Sequence, residues 1–247
     1  MKQRIFLMLP AYNESATLPS LLRRIDQVKT NTGLPIEVLV INDGSTDDTS
    51  ELAKNFVGEA IAVNVHDVIP NKGLANGMRT GFKLGIAELD DDDIIIAMDA
   101  DDSHQPGLMV RMVQQINEGS DIVIASRYQK GARILGLSRF REFLSAGAGI
   151  LYRIFIRIRG VKDYTCGYRA YRVSLLKEAQ LHYGDKFIEQ QGFGCMAEIL
   201  IKLHKFNPVV HELPMILRYD YKLSDSKMQL SKTIKQSLTL IWQSRNP

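Results

Sequence analysis

The chain has 247 residues, 45% apolar and 24% charged, and its 31 lysines and arginines against 28 aspartates and glutamates leave a net charge of +3. This supplies the core of one large α/β domain or two small ones, and a pI near 8.8 with so small a net charge excludes the basic footprint of a nucleic-acid binder. Cys166 and Cys195 lack motif spacing and read as core or loop thiols in a reducing compartment, and no run approaches the roughly 18 apolar residues of a membrane span.

Met1 to Arg4 followed by the apolar Ile5 to Leu9 imitates a signal peptide, but the apolar part is short and no small-residue cleavage site follows. It reads as the first strand of a cytosolic protein. Apolar runs predict further strands at 36–41, 60–65, 94–98 and 121–125. Helical periodicity predicts helices over Leu18–Val28, Thr49–Phe56, Leu74–Leu89 and Leu108–Ile116. Alternation at this spacing argues for βαβ units and a mostly parallel sheet with helices on both faces.

The first two predicted strands end in Pro10-Ala11-Tyr12-Asn13-Glu14-Ser15 and Asn42-Asp43-Gly44-Ser45-Thr46-Asp47. Ser15, Ser45 and Thr46 are available as helix N-caps, and capping accounts for Ser45 and Asp47. Pro10, Tyr12, Glu14 and Asp43 are harder to explain that way: Tyr12 can stack on a base, and Asp43 can accept from a base N–H or a ribose hydroxyl. Neither GxxxxGK[ST] nor GxGxxG is present, and Gly73, Gly77, Gly81 and Gly85 recur every fourth residue as a close-packing helix face.

A diphosphate at this sheet therefore needs another counter-charge. The run Ile94-Ile95-Ile96-Ala97-Met98 is closed by Asp99-Ala100-Asp101-Asp102-Ser103, which reads as a buried strand delivering carboxylates to the rim where open α/β sheets bind ligands. Asp99 and Asp101 point the same way along an extended segment and suit Mg²⁺ or Mn²⁺. Alone, such a pair equally reads as a solvated acidic turn, as Asp90 to Asp93 do.

Past the fifth strand, Arg127, Lys130, Arg133, Arg139 and Arg141 suit phosphate recognition or a solvated basic face. A basic amphipathic helix is predicted over Phe140–Arg159, of a kind that lies on membrane surfaces. Asp163 to Arg172 is too aromatic and too charged for an ordinary strand and reads as a site wall. A helix over Gln191–Lys205, an extended segment over Val209–Leu217 and a polar loop, Arg218 to Lys227, able to close over a phosphate follow. The tail, Met228 to Arg245, has helical spacing; it packs on the core or anchors at an interface through Trp242.

The ordered motifs PAYNE (10–14), INDGSTD (41–47), NKGLANG (71–77), DADDSH (99–104), SRY (126–128), LSRFREFLS (137–145), DYTCGYRAY (163–171) and SDSK (224–227) resemble a family 2 glycosyltransferase of the GT-A fold, closest to the dolichol-phosphate mannosyltransferase group. The resemblance implies a Rossmann-like three-layer α/β sandwich over 1–225, with 226–247 an amphipathic helix at the membrane interface. It implies nucleotide contacts at Pro10, Tyr12, Glu14, Ile41 and Asp43, and metal and diphosphate contacts at Asp99, Ala100, Asp101 and Arg127, with Ser103 at an auxiliary metal position. Arg141 matches the acceptor-phosphate arginine and Lys227 the lysine of a C-terminal SK motif, while the arginine expected upstream of that lysine is displaced onto Arg218 or Lys222. Asp101, Arg127 and Arg141 are the implied catalytic set.

The implied reaction is inverting transfer of a hexose, mannose from GDP-mannose, to a polyprenyl monophosphate with Mg²⁺ or Mn²⁺. The implied location is peripheral, at the cytoplasmic face of the membrane, with or without a partner membrane protein. Rival readings are a saccharide hydroxyl as acceptor, in cell-surface polysaccharide synthesis, and a nucleotide-sugar-binding subunit without turnover.

Overall fold

Seven strands form a sheet in the order β3-β2-β1-β4-β7-β5-β8, in a computed structural model that describes residues 3–136, 152–192 and 194–220. The alternating half is β1 (Ile5–Ala11), α1 (Leu18–Thr32), β2 (Ile36–Asp43), α2 (Thr49–Lys54), β3 (Val63–Val68), α3 (Leu74–Glu88), β4 (Ile94–Ala97), α4 (Leu108–Asn117) and β5 (Ile122–Ser126). Then follow β6 (Arg133–Leu135), β7 (Arg169–Arg172), α5 (Val173–Tyr183), α6 (Gly194–His204), β8 (Val210–Pro214) and β9 (Ile216–Arg218). The two short strands β6 and β9 pair in parallel as a separate ribbon. The expected α/β sandwich with a mostly parallel sheet is what forms.

β1 runs between β2 and β4, both parallel to it, and Leu7, Met8 and Leu9 are fully buried. Each such side chain contributes about 1.5–3 kcal/mol by leaving water. The glycine face of α3 packs as its spacing implies. A Cβ added at Gly81 would lie 2.5 Å from Met8 Cε, and one at Gly85 would lie 2.7 Å from Ile95 Cδ1. Helix α1 begins with a proline in its first turn and stops at Gly33, whose left-handed φ of 66° lets its N–H reach Lys29 O at 2.8 Å.

Three sequence expectations change. β3 starts at Val63, not residue 60, because the Asp26 carboxylate on α1 takes the backbone N–H groups of Glu59, Ala60 and Ile61 and holds them in a loop. Part of the supposed site wall, Arg169–Arg172, is a central strand, antiparallel to both β4 and β5. The helix α5 that follows it is absent from the periodicity reading, and its buried face is the short set Val173, Leu175, Leu176 and Ala179.

Side chains of β7 alternate between the two helical layers. Tyr171 meets Phe82 of α3 edge-on at 5.4 Å and Arg169 reaches Met196 O of α6, while Arg172 reaches Ile116 O of α4 on the other face. Because β7 runs against its neighbours, the segment leading into it, 163–168, returns to the carboxyl edge of β4 and β5. That edge gathers the loops of the site.

Candidate active site

The loops after β1 and β2 are laced together. Asn13 N donates to Ser45 Oγ (2.9 Å), Glu14 N to Thr49 Oγ1 (2.8 Å), Ser15 N to Asp47 Oδ2 (3.1 Å), and Thr46 N to Asn13 Oδ1 (2.8 Å). Ser45 and Ser15 are therefore loop-to-loop links, not the helix caps expected of them; the N-cap of α1 is Thr17, which makes no side-chain cap bond. Thr17 Oγ1 instead donates to Glu14 Oε2 at 3.0 Å, holding that buried carboxylate in the loop. Tyr12 stands half-buried between these links.

Asp43, at the end of β2, accepts the N–H groups of Lys72 (3.1 Å) and Gly73 (2.5 Å), which ties β2 to the start of α3. Gly44, at φ 68°, lies so close to the chain that a Cβ would sit 2.5 Å from Asn71 N. Ile41 is buried in the sheet just before them, and Pro10 is covered by Gly77 of α3. Pro10, Tyr12, Glu14, Ile41 and Asp43 thus lie at one edge, at the ends of two adjacent parallel strands and in the loop after the first.

β4 delivers Asp99 to Ser103 beside them. Asp101 Oδ1 accepts the N–H of Ser103 (3.1 Å) and its hydroxyl (2.6 Å). The expected auxiliary ligand, Ser103, is 3% exposed and acts here as the support of Asp101. Ala100 is buried, and its carbonyl accepts from Thr17 Oγ1 at 3.4 Å. Asp102 takes a left-handed φ of 57° and turns to Arg24 at 2.5 Å; burial raises its carboxyl above the ordinary value despite that arginine.

Asp99 is the more accessible of the pair, its side chain 35% exposed. Its N–H donates to His104 Nδ1 at 3.4 Å. Among the described residues no three His, Cys, Asp or Glu side chains converge as a metal cage. Two carboxylates fit a hard divalent cation that completes its shell with water and donor phosphate oxygens.

Arg127, which the resemblance implies at the diphosphate, turns its Nε and Nη2 edge to Asp163 in a bidentate pair (2.8 and 2.6 Å) and reaches Thr165 Oγ1 at 2.7 Å. Asp163 is fully buried and also accepts Arg127 N, Thr165 N and Cys166 N. Burial pushes its carboxyl up, Arg127 pulls it down further, and the net is a carboxyl below the ordinary value; Arg127 itself stays charged. Glu212 on β8 accepts Lys162 N and Asp163 N, both at 2.7 Å. Arg169, also fully buried, donates to Tyr164 O at 2.8 Å and to Met196 O at 2.7 Å.

Arg218 lies on β9, and its N–H donates to Ser103 O at 2.8 Å, which brings the β6–β9 ribbon against the acidic loop. Its guanidinium pairs with Asp220. Arg139, Arg141, Lys222 and Lys227, the tail helix and most of the predicted 140–159 helix lie outside the described residues. Both cysteines are buried and unbridged, with burial pushing each thiol up to about 12. Sequence pattern missed Asp163, Arg169, Glu212, Arg24 and His104 as individual site supports. Asp163, Arg169 and His104 carried a signal, by sitting inside motifs.

A mostly parallel sheet whose loops after β1, β2 and β4 gather polar and carboxylate side chains at one edge has the architecture of the GT-A fold. The model of the family described as Glycosyl transferase family 2 matches residues 7–179, and the chain belongs to that family. It is 32% identical over 240 residues to a dolichol-phosphate mannosyltransferase of Pyrococcus furiosus, covering 97% of this chain and 63% of that protein, so it spans under two thirds of that relative's length. It is 29% identical over 225 residues to an undecaprenyl-phosphate mannosyltransferase of Micrococcus luteus, covering 91% of this chain and 87% of the relative. In fold it resembles glucosyl-3-phosphoglycerate synthase from Mycobacterium tuberculosis, solved with Mn²⁺, UDP-glucose and phosphoglyceric acid, at a TM-score of 0.67 and 17% identity over 99% of this chain and 80% of that one.

Proposed function

We propose that this chain transfers a hexose, mannose from GDP-mannose, to a polyprenyl monophosphate with inversion at the anomeric carbon. The observation that carries the reading is the delivery of Asp99 and Asp101 by β4 to the same edge as Tyr12, Glu14 and Asp43. The names of relatives that align over nearly the whole chain support a lipid-phosphate acceptor.

Tyr12 stacks on the base, and Asp43 and Glu14 shape its pocket. Asp99 and Asp101 hold Mg²⁺ or Mn²⁺, with Ser103 orienting Asp101. When bound, that cation supplies stabilisation of charge on the departing diphosphate. An acceptor phosphate oxygen forms the new bond to the anomeric carbon as the bond to the donor diphosphate breaks, and the electron pair leaves on the nucleoside diphosphate. With a second pKa near 6, a phosphate monoester is largely ionised at pH 7, so no protein base is required. Asp163 is unsuited to be one: it is fully buried and occupied by Arg127. Arg141, Lys227 and Arg218 complete the phosphate-binding side of the reading.

Transfer of labelled sugar from GDP-mannose, with UDP-glucose, UDP-galactose and UDP-GlcNAc in parallel, to polyprenyl phosphate in the presence of Mg²⁺ or Mn²⁺ tests it. Chelator-sensitive lipid product from GDP-mannose is expected. Product from another donor corrects the sugar, and donor hydrolysis or binding without lipid product overturns the acceptor. No helix among the described residues is long and apolar enough to cross a membrane. Contact with the acceptor is assigned to peripheral binding at the cytoplasmic face, and failure to bind anionic vesicles at low salt removes that assignment.

A further inference from the structure

Asp99 lies in a slot between two residues that come from different directions. On one side is Gly167, from the segment leading into β7. A Cβ added there would stand 2.9 Å from Asp99 Oδ1, 3.6 Å from Cγ and 3.7 Å from Oδ2. Those atoms belong to one side chain and to no backbone, and Gly167 is not among the glycines held at positive φ. An alanine is therefore tolerable to the fold and intolerable only to the present position of the carboxylate.

On the other side is His104. Its Nδ1 accepts the Asp99 N–H at 3.4 Å and its Nε2 stands 3.8 Å from Asp99 Oδ2. The imidazole is 3% exposed and stacks on Tyr168 with centroids 5.1 Å apart and planes 24° from parallel. Tyr168 is fully buried, and its hydroxyl lies 3.3 Å from Gln105 O and 3.4 Å from Pro106 O, against the far end of the acidic loop. Gly167 and Tyr168 are consecutive, and the backbone just before them is fixed by Asp163, which accepts Thr165 N and Cys166 N.

We propose that Gly167 and His104 are positioning residues that set the Asp99 carboxylate for divalent-cation binding, Gly167 by leaving room for it and His104 by anchoring its backbone and flanking its oxygen. The inference rests on the reading that Asp99 and Asp101 hold the cation. It gives a specific task to the glycine, one that a general role in wall building does not require.

The test uses the full chain and Mn²⁺ alone, titrated by electron paramagnetic resonance, with thermal unfolding on the same samples. Gly167→Ala is expected to unfold within about 2 °C of the parent and to bind Mn²⁺ about 10–100-fold more weakly, the range seen when groups that orient metal ligands are removed. His104→Ala should weaken binding in the same direction, and His104→Asn, which keeps an acceptor near the Nδ1 position, should recover part of it. Two comparisons separate this inference from the reading beneath it. If the parent binds Mn²⁺, Asp101→Asn does not, and Gly167→Ala binds as the parent does, the slot is wrong and the cation site stands. If Asp101→Asn binds as well as the parent, or the parent does not bind, both fall. A large drop in unfolding temperature for Gly167→Ala makes the glycine structural and overturns its assignment.

Discussion

The two halves of the site edge are held by different forces. The loops after β1 and β2 are joined mostly by neutral hydrogen bonds, through Ser45, Asn13 and the buried Thr49, with one carboxylate, Asp47, accepting from Ser15 N. The wall across β4, β7 and β5 is held by the Arg127–Asp163 ion pair, with the buried Arg169 on the carbonyls of Tyr164 and Met196 and Glu212 on the N–H groups of Lys162 and Asp163. A neutral hydrogen bond contributes about 1 kcal/mol net, whereas stripping one member from a buried ion pair costs about 3–5 kcal/mol. The half built from the β1 and β2 loops is expected to survive the loss of one link, and the wall is not.

The largest effect that can break this contrast is expected at Asp163. Asp163→Asn leaves Arg127 buried without its bidentate partner and should cost about 3–5 kcal/mol, read as a shift in urea midpoint. A loss near that of a surface substitution would show that the wall is not held by its ions. The pH dependence carries a sign. The folded carboxyl of Asp163 lies below its unfolded value of about 3.9, so its contribution is fully present above that pH and fades as the pH falls through the lower, folded value. Asp102, raised by burial, works the other way: its contribution is present below about 3.9 and is lost as the pH rises through its folded value. Acid titration of Asp163→Asn beside the parent should show a shallower loss of stability below pH 4.

Next in size is Asp101→Asn, which acts on chemistry without touching the ionic wall. Loss of one preorganised electrostatic group is worth about 10²-fold in rate, or about 2.7 kcal/mol of barrier. Turnover should fall by at least that factor with the urea midpoint little changed. Turnover near the parent's would remove Asp101 from the mechanism.

The same contrast decides what was legible in the sequence. Asp99, Asp101, Tyr12 and Asp43 end apolar runs, so their place at a sheet edge follows from strand pattern and the βαβ rule. The glycine face of α3 was equally plain from its spacing. β7 was hidden because Arg169 begins it: a fully buried arginine defies the rule by which arginine is placed outside, and Tyr164 O and Met196 O, brought by the fold, take its guanidinium. The Asp163 partner of Arg127 could not be read from the sequence because it lies 36 residues away. Short-range pattern sees a charged end of strand, not the carboxylate that faces it.

The smallest effect probes the neutral half. Asn13 sits at a positive φ of 51°, a conformation that carries a steric cost for a residue with a Cβ and that its neighbours must maintain. The bonds that do so include its N–H to Ser45 Oγ and, to its Oδ1, that from Thr46 N. Ser45→Ala removes the first and leaves the second, so stability should drop by about 1 kcal/mol and the fold should survive. Yet Asn13 lies between Tyr12 and Glu14, and a loosened turn there misplaces the residues assigned to the base while leaving Asp99 and Asp101 on β4 undisturbed. The expected kinetic signature is a rise in donor KM of several-fold with kcat nearly constant, because an interaction equal in ground and transition states has been weakened. A fall in kcat at unchanged KM would mean that the loop after β1 acts on the transferring sugar, and the division of the edge into a base-facing half and an ionic wall would have to be redrawn.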